Sequence, residues 1–343
     1  MARRSRALAM LEGQIPSSEH VLELRDVAVE FNADYGDVHA VNGVSYTLDR
    51  GESLGILGES GSGKTVSALA IMGLIQEPGR ITSGEILYKG IDLLKLSARE
   101  RRSIRGAEIA MIFQDALSAL NPVFSVGDQI AEMFRIHRGM SGREAMSEAV
   151  KLMERVRIPS ARERVHDYPH QFSGGMRQRV MIAMGIALEP DVLIADEPTT
   201  ALDVTVQAQS MELLKEIQEE TRMGLILVTH DLGVVAEVAD RVCVMYAGRI
   251  VEKGSVTDVY ARPGHPYTER LMHSIPRVER KGERLDPIRG APPSLLHIPP
   301  GCPFHPRCPK ARFPVCSEEE PPLRDVAAER LSACHFAEEL LAE

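Results

Sequence analysis

Apolar and polar residues alternate along residues 21–57, which is the period of half-buried β-strands. Three stretches carry the pattern: VLELRDVAVEF, VHAVNGVSYTL and ESLGIL. They predict a strand-rich segment that leads into the glycine-rich sequence GESGSGKT at residues 58–65. The apolar stretch SALAIMGLI follows at once and has the length of a helix. The segment therefore predicts a strand, a tight turn and a helix in succession.

Farther along the chain, strand and helix patterns replace each other. Buried strands are predicted over AEIAMIF (107–113), DVLIAD (191–196) and GLILVTH (224–230). Helical patterns fill residues 125–190 and indicate an inserted helical subdomain, and another helix is predicted over VQAQSMELLKEIQEE. This alternation favours an α/β fold with a mainly parallel sheet. RVCVMYAGRIVEKG predicts a late hairpin that turns at Ala247-Gly248.

The texture of the sequence changes after residue 262, where prolines become frequent, as in GAPPSLLHIPPGCPFHPRCPK. Such a change predicts a domain boundary. The predicted segments are an N-terminal tail (1–20), an α/β core (21–113 and 190–262), a helical subdomain (114–189) and a Pro/Cys-rich C-terminal extension (263–343).

Composition narrows the class of protein. The net charge of -9 and the pI near 5.7 weigh against a nucleic-acid-binding surface, which usually needs a basic excess. Residues 1–20 carry only a short apolar piece, which predicts a solvated tail and not a signal peptide. No apolar run reaches the roughly 18 residues of a membrane-spanning helix. We expect a cytosolic protein that meets a membrane through a partner, in a compartment where structural disulfides are uncommon.

The phosphate-loop pattern G-x-x-x-x-G-K-[ST] occurs at residues 58–65. Its residues are Gly58, Glu59, Ser60, Gly61, Ser62, Gly63, Lys64 and Thr65. The glycines let backbone N–H groups turn toward phosphate oxygens, and the helix that follows directs its N-terminal dipole at the same anion. Lys64 is expected to reach the β- and γ-phosphates, and the Thr65 hydroxyl to bind Mg²⁺. A plain glycine turn is the alternative, but the strand before the loop and the helix after it favour a phosphate site.

Two further segments carry chemistry that a nucleotide site needs. VLIADEP is a buried-strand pattern that ends in Asp196 and Glu197. Asp196 would lie near Mg²⁺, and Glu197 suits a general base that orients or deprotonates a water. Ser173, Gly174 and Gly175 precede a predicted helix and would form a second anion-binding helix start. Alone, a strand that meets a solvated turn and an ordinary helix cap would explain them; the order of the three segments favours a nucleotide site.

In this order the motifs resemble those of the ATP-binding cassette (ABC) ATPases over about residues 21–260. PHQFSGGMRQRV is similar to the family signature LSGGQ, with Phe172 and Met176 in place of its leucine and glutamine. The resemblance also assigns positions outside the three segments. These are Gln114 in the Q-loop, Asp203 in the D-loop sequence Ala201-Leu202-Asp203, His230 as the switch histidine and Tyr35 as the ring that stacks on adenine.

The resemblance implies an ATPase whose core has an antiparallel β-subdomain and an inserted α-helical subdomain. Two such cassettes would pair head to tail, with each ATP between the phosphate loop of one and residues 173–175 of the other. The implied Mg²⁺ ligands are Thr65, Gln114 and Asp196. Glu197 would activate the attacking water, and Gln114 and His230 would sense the γ-phosphate.

Several stretches resemble the ATPase subunits of dipeptide/oligopeptide permeases, a group with nickel-import relatives. They are ALSALNP, ADEPTTALDVTVQAQ, ARPGHPYTERLMHSIP and PPSLLHIPPGCPFHPRC. This resemblance implies a peripheral subunit at the cytoplasmic face of the inner membrane. Its partners would be a second homologous ATPase in a heterodimer, two permease subunits and an extracytoplasmic peptide-binding protein. The alternative is a soluble ABC ATPase that acts on ribosomes or nucleic acid, which predicts two cassettes in one chain or basic inserts. A P-loop kinase would not explain residues 173–175 and His230.

Four of the five cysteines lie in the C-terminal extension: Cys302, Cys308, Cys316 and Cys334. Four thiolates suit a tetrahedral Zn²⁺ or a [4Fe–4S] cluster, although the spacing lacks the C-x2-C of common zinc modules. Unligated thiols and two disulfides are the alternatives, and His305 and His335 are neighbours that could ligate a metal or hydrogen-bond sulfur. The family resemblance favours the cluster, because relatives carry a C-terminal [4Fe–4S] centre. We expect a metal centre to help fold an extension that lacks a core of its own.

Overall fold

A computed structural model describes residues 20–33, 36–115, 119–198, 203–274 and 288–342. The described chain forms two compact units. The first contains residues 20–23, 47–52 and 87–227, and the second contains residues 24–46, 53–86 and the described residues from 228 onward. The segment boundaries proposed from the sequence stay a prediction, since these units are defined by compactness and not by function. No helix within the described ranges is both long and apolar enough to cross a membrane.

Strands and helices alternate along most of the chain. The strands are β1 (Leu22–Ala33), β2 (Gly36–Leu48), β3 (Ser53–Leu57), β4 (Gly79–Tyr88), β5 (Ile91–Asp92), β6 (Ile109–Ile112), β7 (Val192–Asp196), β8 (Gly224–Thr229), β9 (Arg241–Tyr246), β10 (Arg249–Ser255), β11 (Arg324–Ala327) and β12 (Arg330–Ser332). The helices are α1 (Lys64–Met72), α2 (Ala98–Ile104), α3 (Val126–Arg138), α4 (Gly142–Arg155), α5 (Ala161–Arg164), α6 (Gly174–Ile186), α7 (Val204–Thr221), α8 (Leu232–Val238), α9 (Val256–Ala261), α10 (Pro266–His273), α11 (Val315–Glu318) and α12 (Ala337–Ala342). Single 3-10 turns occur at Leu93–Lys95, Pro169–Gln171 and His305–Arg307.

The strands that carry the phosphate loop and the acidic pair are buried along their whole length. Every residue of β3, β7 and β8 is buried, which explains their continuous apolar sequences. In the first unit β6 runs parallel to β7, with Ile109 opposite Val192. In the second unit β3 runs parallel to β9, and β10 to β12 extend that sheet in the order β11-β12-β10-β9-β3. The predicted α/β fold with parallel strands is confirmed, with an antiparallel edge.

The predicted hairpin is also confirmed. β9 and β10 pair antiparallel with Tyr246 opposite Arg249. The turn between them has positive φ at both residues, 48° at Ala247 and 79° at Gly248. Positive φ at both central residues is the geometry of the two-residue turn that matches the twist of the strands.

The helical pattern of residues 125–190 forms α3 to α6. Serine caps begin the first two helices: Ser125 Oγ accepts from the Asp128 N–H at 3.1 Å, and Ser141 forms a capping box with Glu144. The apolar faces of these helices bury Phe134, Ala145 and Met153. The helices predicted within residues 125–190 are therefore observed, and their assignment to a separate subdomain stays a prediction.

The C-terminal part of the second unit contains two strands that the sequence pattern does not predict. β12 pairs with β10, with Ser332 opposite Glu252, and β11 pairs with β12. Both strands are short and polar, so their pairing depends on β10 and not on a local pattern. Residues 324–332 thus continue the sheet of the second unit.

Candidate functional site

The phosphate loop connects β3 to α1, and its backbone requires glycine at two positions. A Cβ at Gly58 would lie 2.3 Å from the Met245 carbonyl oxygen, and one at Gly63 would lie 2.3 Å from the Ala40 carbonyl oxygen. Both glycines have positive φ. Gly61 also has positive φ, but a Cβ there would meet open space. The loop is therefore pressed against neighbouring backbone at both ends.

The side chains inside the loop leave one buried polar group unsatisfied. Lys64 is 4% exposed, and its Nζ donates to the carbonyl oxygens of Gly58 at 2.8 Å and Glu59 at 3.0 Å. The Ser62 hydroxyl is buried and has no hydrogen-bond partner among the described residues. Buried hydroxyls are usually satisfied in folded proteins, so this group fits a loop that closes on a ligand. Thr65 lies half-buried in the first turn of α1.

Glu59 is held by residues far away in the sequence. Its backbone N–H donates to the Tyr267 hydroxyl at 2.8 Å. Its carboxylate accepts hydrogen bonds from both terminal nitrogens of Arg307, at 2.7 and 3.0 Å. Sequence patterns did not identify Tyr267 or Arg307, and no local signal links either residue to the loop.

In the first unit, the register of β6 and β7 brings Gln114 to Glu197. Ile112 pairs with Ala195, and the two site residues follow two positions later on each chain segment. Gln114 Nε2 donates to Glu197 Oε2 at 2.7 Å. Asp196, the last residue of β7, is 2% exposed. Glu197 has a φ of 45°, a left-handed backbone conformation that is uncommon in residues other than glycine.

Residues 173–175 lie at the start of α6, as predicted. Helix capping and helix packing also explain their residue types. Ser173 is the N-cap, and its Oγ accepts from the Met176 N–H at 3.3 Å. A Cβ on Gly175 would lie 2.5 Å from the Val206 side chain, so close helix packing requires glycine there. Asp203 caps α7 by accepting from the Val206 N–H at 3.0 Å.

The predicted site residues divide between the two units. The phosphate loop and the exposed His230, which follows β8, belong to the second unit. The first unit holds the remaining described site residues of the nucleotide prediction: Gln114, Ser173, Gly174, Gly175, Asp196, Glu197 and Asp203. Tyr35, Ala201 and Leu202 lie outside the described residues.

The four tail cysteines line one cavity of about 280 Å³ in the second unit, together with His305 and His335. Burial raises the pKa of Cys302 to about 12 and that of Cys308 to about 11, and the neighbouring thiols add to both shifts. Thiolates in this cavity therefore need a compensating positive charge. All five cysteines are described and none forms a disulfide. Among the described residues, no group of three or more His, Cys, Asp or Glu side chains is placed to hold a metal ion.

Comparison with known proteins finds matches over most of the chain. Residues 41–200 match the family model of the ABC transporter, and residues 251–316 match that of the oligopeptide/dipeptide transporter C-terminal region. The dipeptide transport ATP-binding protein DppD of Bacillus subtilis is 53% identical over 304 residues, 88% of this chain and 90% of that protein. The oligopeptide transport ATP-binding protein OppD of Salmonella typhimurium is 50% identical over 330 residues, 96% of this chain and 98% of that protein.

A solved structure matches the fold. The dimeric ATP-binding cassette MJ0796, in a post-hydrolysis state bound to ADP and Pi, superposes with a TM-score of 0.62 at 28% identity. The match covers 68% of this chain and 98% of that one. The phosphate loop fits a phosphate ligand, and the two relatives are 53% and 50% identical in sequence. The chain therefore belongs to the ATP-binding subunits of ABC transporters, within the oligopeptide and dipeptide transporter group.

Proposed function

We propose that this chain hydrolyses ATP to drive the uptake of dipeptides or oligopeptides through separate membrane permease subunits. The observation that carries the proposal is the 50% identity to an oligopeptide transport ATP-binding protein over 96% of the chain. The described residues support its ATPase part, because the phosphate loop holds a buried lysine and an unsatisfied serine hydroxyl. No feature of the described residues favours the alternative of a soluble ATPase acting on ribosomes or nucleic acid.

The loop would bind the phosphates of ATP. Lys64 and the loop N–H groups would neutralise the phosphate charge, which is the main requirement of phosphoryl transfer. Mg²⁺ would add further neutralisation at the β- and γ-phosphates, with Thr65, Gln114 and Asp196 as its protein ligands. The unsatisfied Ser62 hydroxyl supports a phosphate oxygen as its partner.

Glu197 would act as the general base that orients and deprotonates the attacking water. The Gln114 amide donates to its carboxylate and would hold it in place. His230 would sense the γ-phosphate, and Tyr35 would stack on adenine. Residues 173–175 and Asp203 would act on the ATP of a paired cassette.

The partners follow from the same family. We propose a heterodimer with a second homologous ATPase, two permease subunits and an extracytoplasmic peptide-binding protein. The chain would then sit peripherally at the cytoplasmic face of the inner membrane. Residues 21–113 and 190–262 would form the nucleotide-binding core, with 114–189 and 263–343 as the helical subdomain and the extension.

Replacement of Glu197 by glutamine tests the ATPase assignment. In the complex with its permease subunits, Glu197→Gln should bind ATP and lower kcat by about 10²- to 10⁴-fold, the usual contribution of a general base. The measurements are phosphate release and ATP-dependent uptake of labelled peptides into proteoliposomes. Glu216→Gln, which removes an exposed ion pair with Arg157, is the matched control. Unchanged turnover in Glu197→Gln would contradict the base assignment, and wild-type hydrolysis without peptide uptake would contradict the transport assignment.

We further propose that Cys302, Cys308, Cys316 and Cys334 hold a [4Fe–4S] cluster. The cavity that all four line supports this assignment. Each iron of such a cluster takes one thiolate, so the sulfurs surround a volume and do not converge on one point. A Zn²⁺ site needs its four ligands around a single ion. The resemblance to the ATPase subunits of dipeptide/oligopeptide permeases favours the cluster over Zn²⁺.

Anaerobic purification with iron, sulfide and zinc analysis tests the cluster. We expect a brown protein with about four irons and four sulfides per chain, as the cluster type requires. Cys316→Ser should lose iron, whereas Cys243→Ala, a change in β9 outside the cavity, should retain it. A colourless protein with one zinc per chain, or one without metal, would contradict the proposal.

A further inference from the structure

The C-terminal extension contacts the phosphate loop directly. The 3-10 turn His305–Arg307 lies between Cys302 and Cys308 and carries Arg307 to Glu59. The two terminal nitrogens of Arg307 donate to the two carboxylate oxygens of Glu59 at 2.7 and 3.0 Å. This fork-to-fork arrangement is the geometrically most specific form of ion pair. The Arg307 and Glu59 side chains are 6% and 25% exposed, so water screens the pair less than it screens a fully exposed ion pair.

The position of Arg307 is itself fixed by its surroundings. Its Nε donates to the Arg289 carbonyl oxygen at 3.1 Å, and Nη1 also donates to the Tyr246 hydroxyl at 3.3 Å. The guanidinium lies 5.8 Å from the centre of the Tyr246 ring. The buried ring of Phe304 packs edge-on against Tyr246, with 5.3 Å between ring centres. Few alternative rotamers of Arg307 fit this environment.

Glu59 in turn is fixed at three points within the loop. Arg307 binds its carboxylate, Tyr267 accepts its N–H at 2.8 Å, and Lys64 Nζ donates to its carbonyl at 3.0 Å. Lys64 is the residue expected to bind the β- and γ-phosphates. The chain of contacts therefore runs from the extension to the lysine that meets the nucleotide.

We propose that Arg307 is a positioning residue for nucleotide binding: through Glu59 it holds the phosphate loop in its binding conformation, so that the C-terminal extension sets the affinity for ATP. The inference rests on the proposed function, in which this loop binds ATP. A loop that is ordered before the ligand arrives pays less conformational entropy on binding. Loss of the Arg307–Glu59 ion pair should therefore weaken nucleotide binding more than it slows the chemical step.

Substitution of Arg307 in the full-length protein tests the proposal. Arg307→Met should raise the Kd for Mg-ATP and the KM by about three- to tenfold, as expected for loss of a charge-assisted pair. We expect kcat, measured in the complex with the permease subunits, to change less than about twofold, because the Arg307–Glu59 ion pair acts equally on the bound state and on the transition state. Arg307→Lys keeps the charge but loses the fork, so it should lie between the wild type and Arg307→Met. Glu59→Gln should weaken binding in the same way, and the double variant should be no worse than the single ones.

The control is Arg155→Gln, which removes an ion pair with Glu220 of 2.8 Å in the first unit and should leave Kd and KM unchanged. Thermal unfolding without nucleotide identifies which variants are folded, and Arg307→Lys serves as the test if Arg307→Met is not. An unchanged Kd for Mg-ATP in folded Arg307 variants would overturn the proposal. A fall of kcat by about three- to tenfold with no change of KM would overturn it as well. Wild-type protein that binds no Mg-ATP would instead contradict the proposed function.

Discussion

At the scale of single residues, the ion pair of Glu252 and Arg330 shows how burial controls stability. The two side chains are 0% and 6% exposed, and their charged atoms lie 2.8 Å apart. The Glu252 carboxylate also accepts the Gly264 N–H at 2.7 Å. Arg330→Met would leave the carboxylate buried without its cation, which costs about 3–5 kcal/mol in comparable sites. Urea unfolding of the full-length protein at neutral pH measures this loss.

The same pair predicts a pH dependence. Burial raises the pKa of Glu252, and the contacts with Arg330 partly offset that rise. A carboxyl group with a raised pKa in the folded state favours folding at low pH and loses that contribution as pH rises through the folded pKa. Since Arg330→Met removes an offsetting contact, its stability deficit should shrink as the pH is lowered from 8 toward the pKa of Glu252. Arg162→Gln, which removes an exposed pair with Glu154, should show little loss at pH 8 or at lower pH. A deficit of Arg330→Met that is constant with pH would contradict this account.

At the scale of secondary-structure elements, the sequence pattern predicted those strands and helices that form from residues close together in the chain. The continuous apolar runs of β3, β7 and β8 and the helical periods of α3, α4 and α6 each correspond to an observed element. The hairpin turn was predictable because glycine at position 248 accepts the positive φ that the turn requires. β11 and β12 were missed because four- and three-residue polar strands carry no period of their own. Their order comes from the pairing of β12 with β10.

The candidate site divides in the same way. The phosphate loop and the acidic pair are contiguous motifs, so their residue types alone indicate a nucleotide site. The Gln114–Glu197 bond joins residues 83 positions apart, and only the family resemblance placed both in one site. Glu59 and Arg307 are 248 positions apart, and Arg307 lies in a segment notable for its cysteines. Such a contact is decided by the fold, and a single sequence gives no sign of it.

At the scale of the whole molecule, one segment of the extension connects the cysteine cavity to the phosphate loop. Cys302, Phe304 and Cys308 line the cavity, and Arg307 in the same turn holds Glu59. The Cys302 N–H donates to the Cys316 carbonyl oxygen at 2.9 Å, which ties this turn to the next cavity segment. A change at the far wall of the cavity should therefore alter nucleotide affinity through Arg307.

Cys334→Ala tests this coupling, because Cys334 follows β12 and enters the cavity from another part of the chain. We expect the variant to lose iron and to raise the Kd for Mg-ATP by about two- to tenfold, which corresponds to about 0.5–1.4 kcal/mol and lies within the range of couplings carried through packed contacts. If the effect passes through Arg307, Cys334→Ala should add little to Arg307→Met, since both changes release the same loop. Cys243→Ala, in β9 and outside the cavity, should leave both iron content and Kd unchanged. An iron-free Cys334→Ala with wild-type affinity, or two fully additive effects, would show that the cavity and the loop act independently.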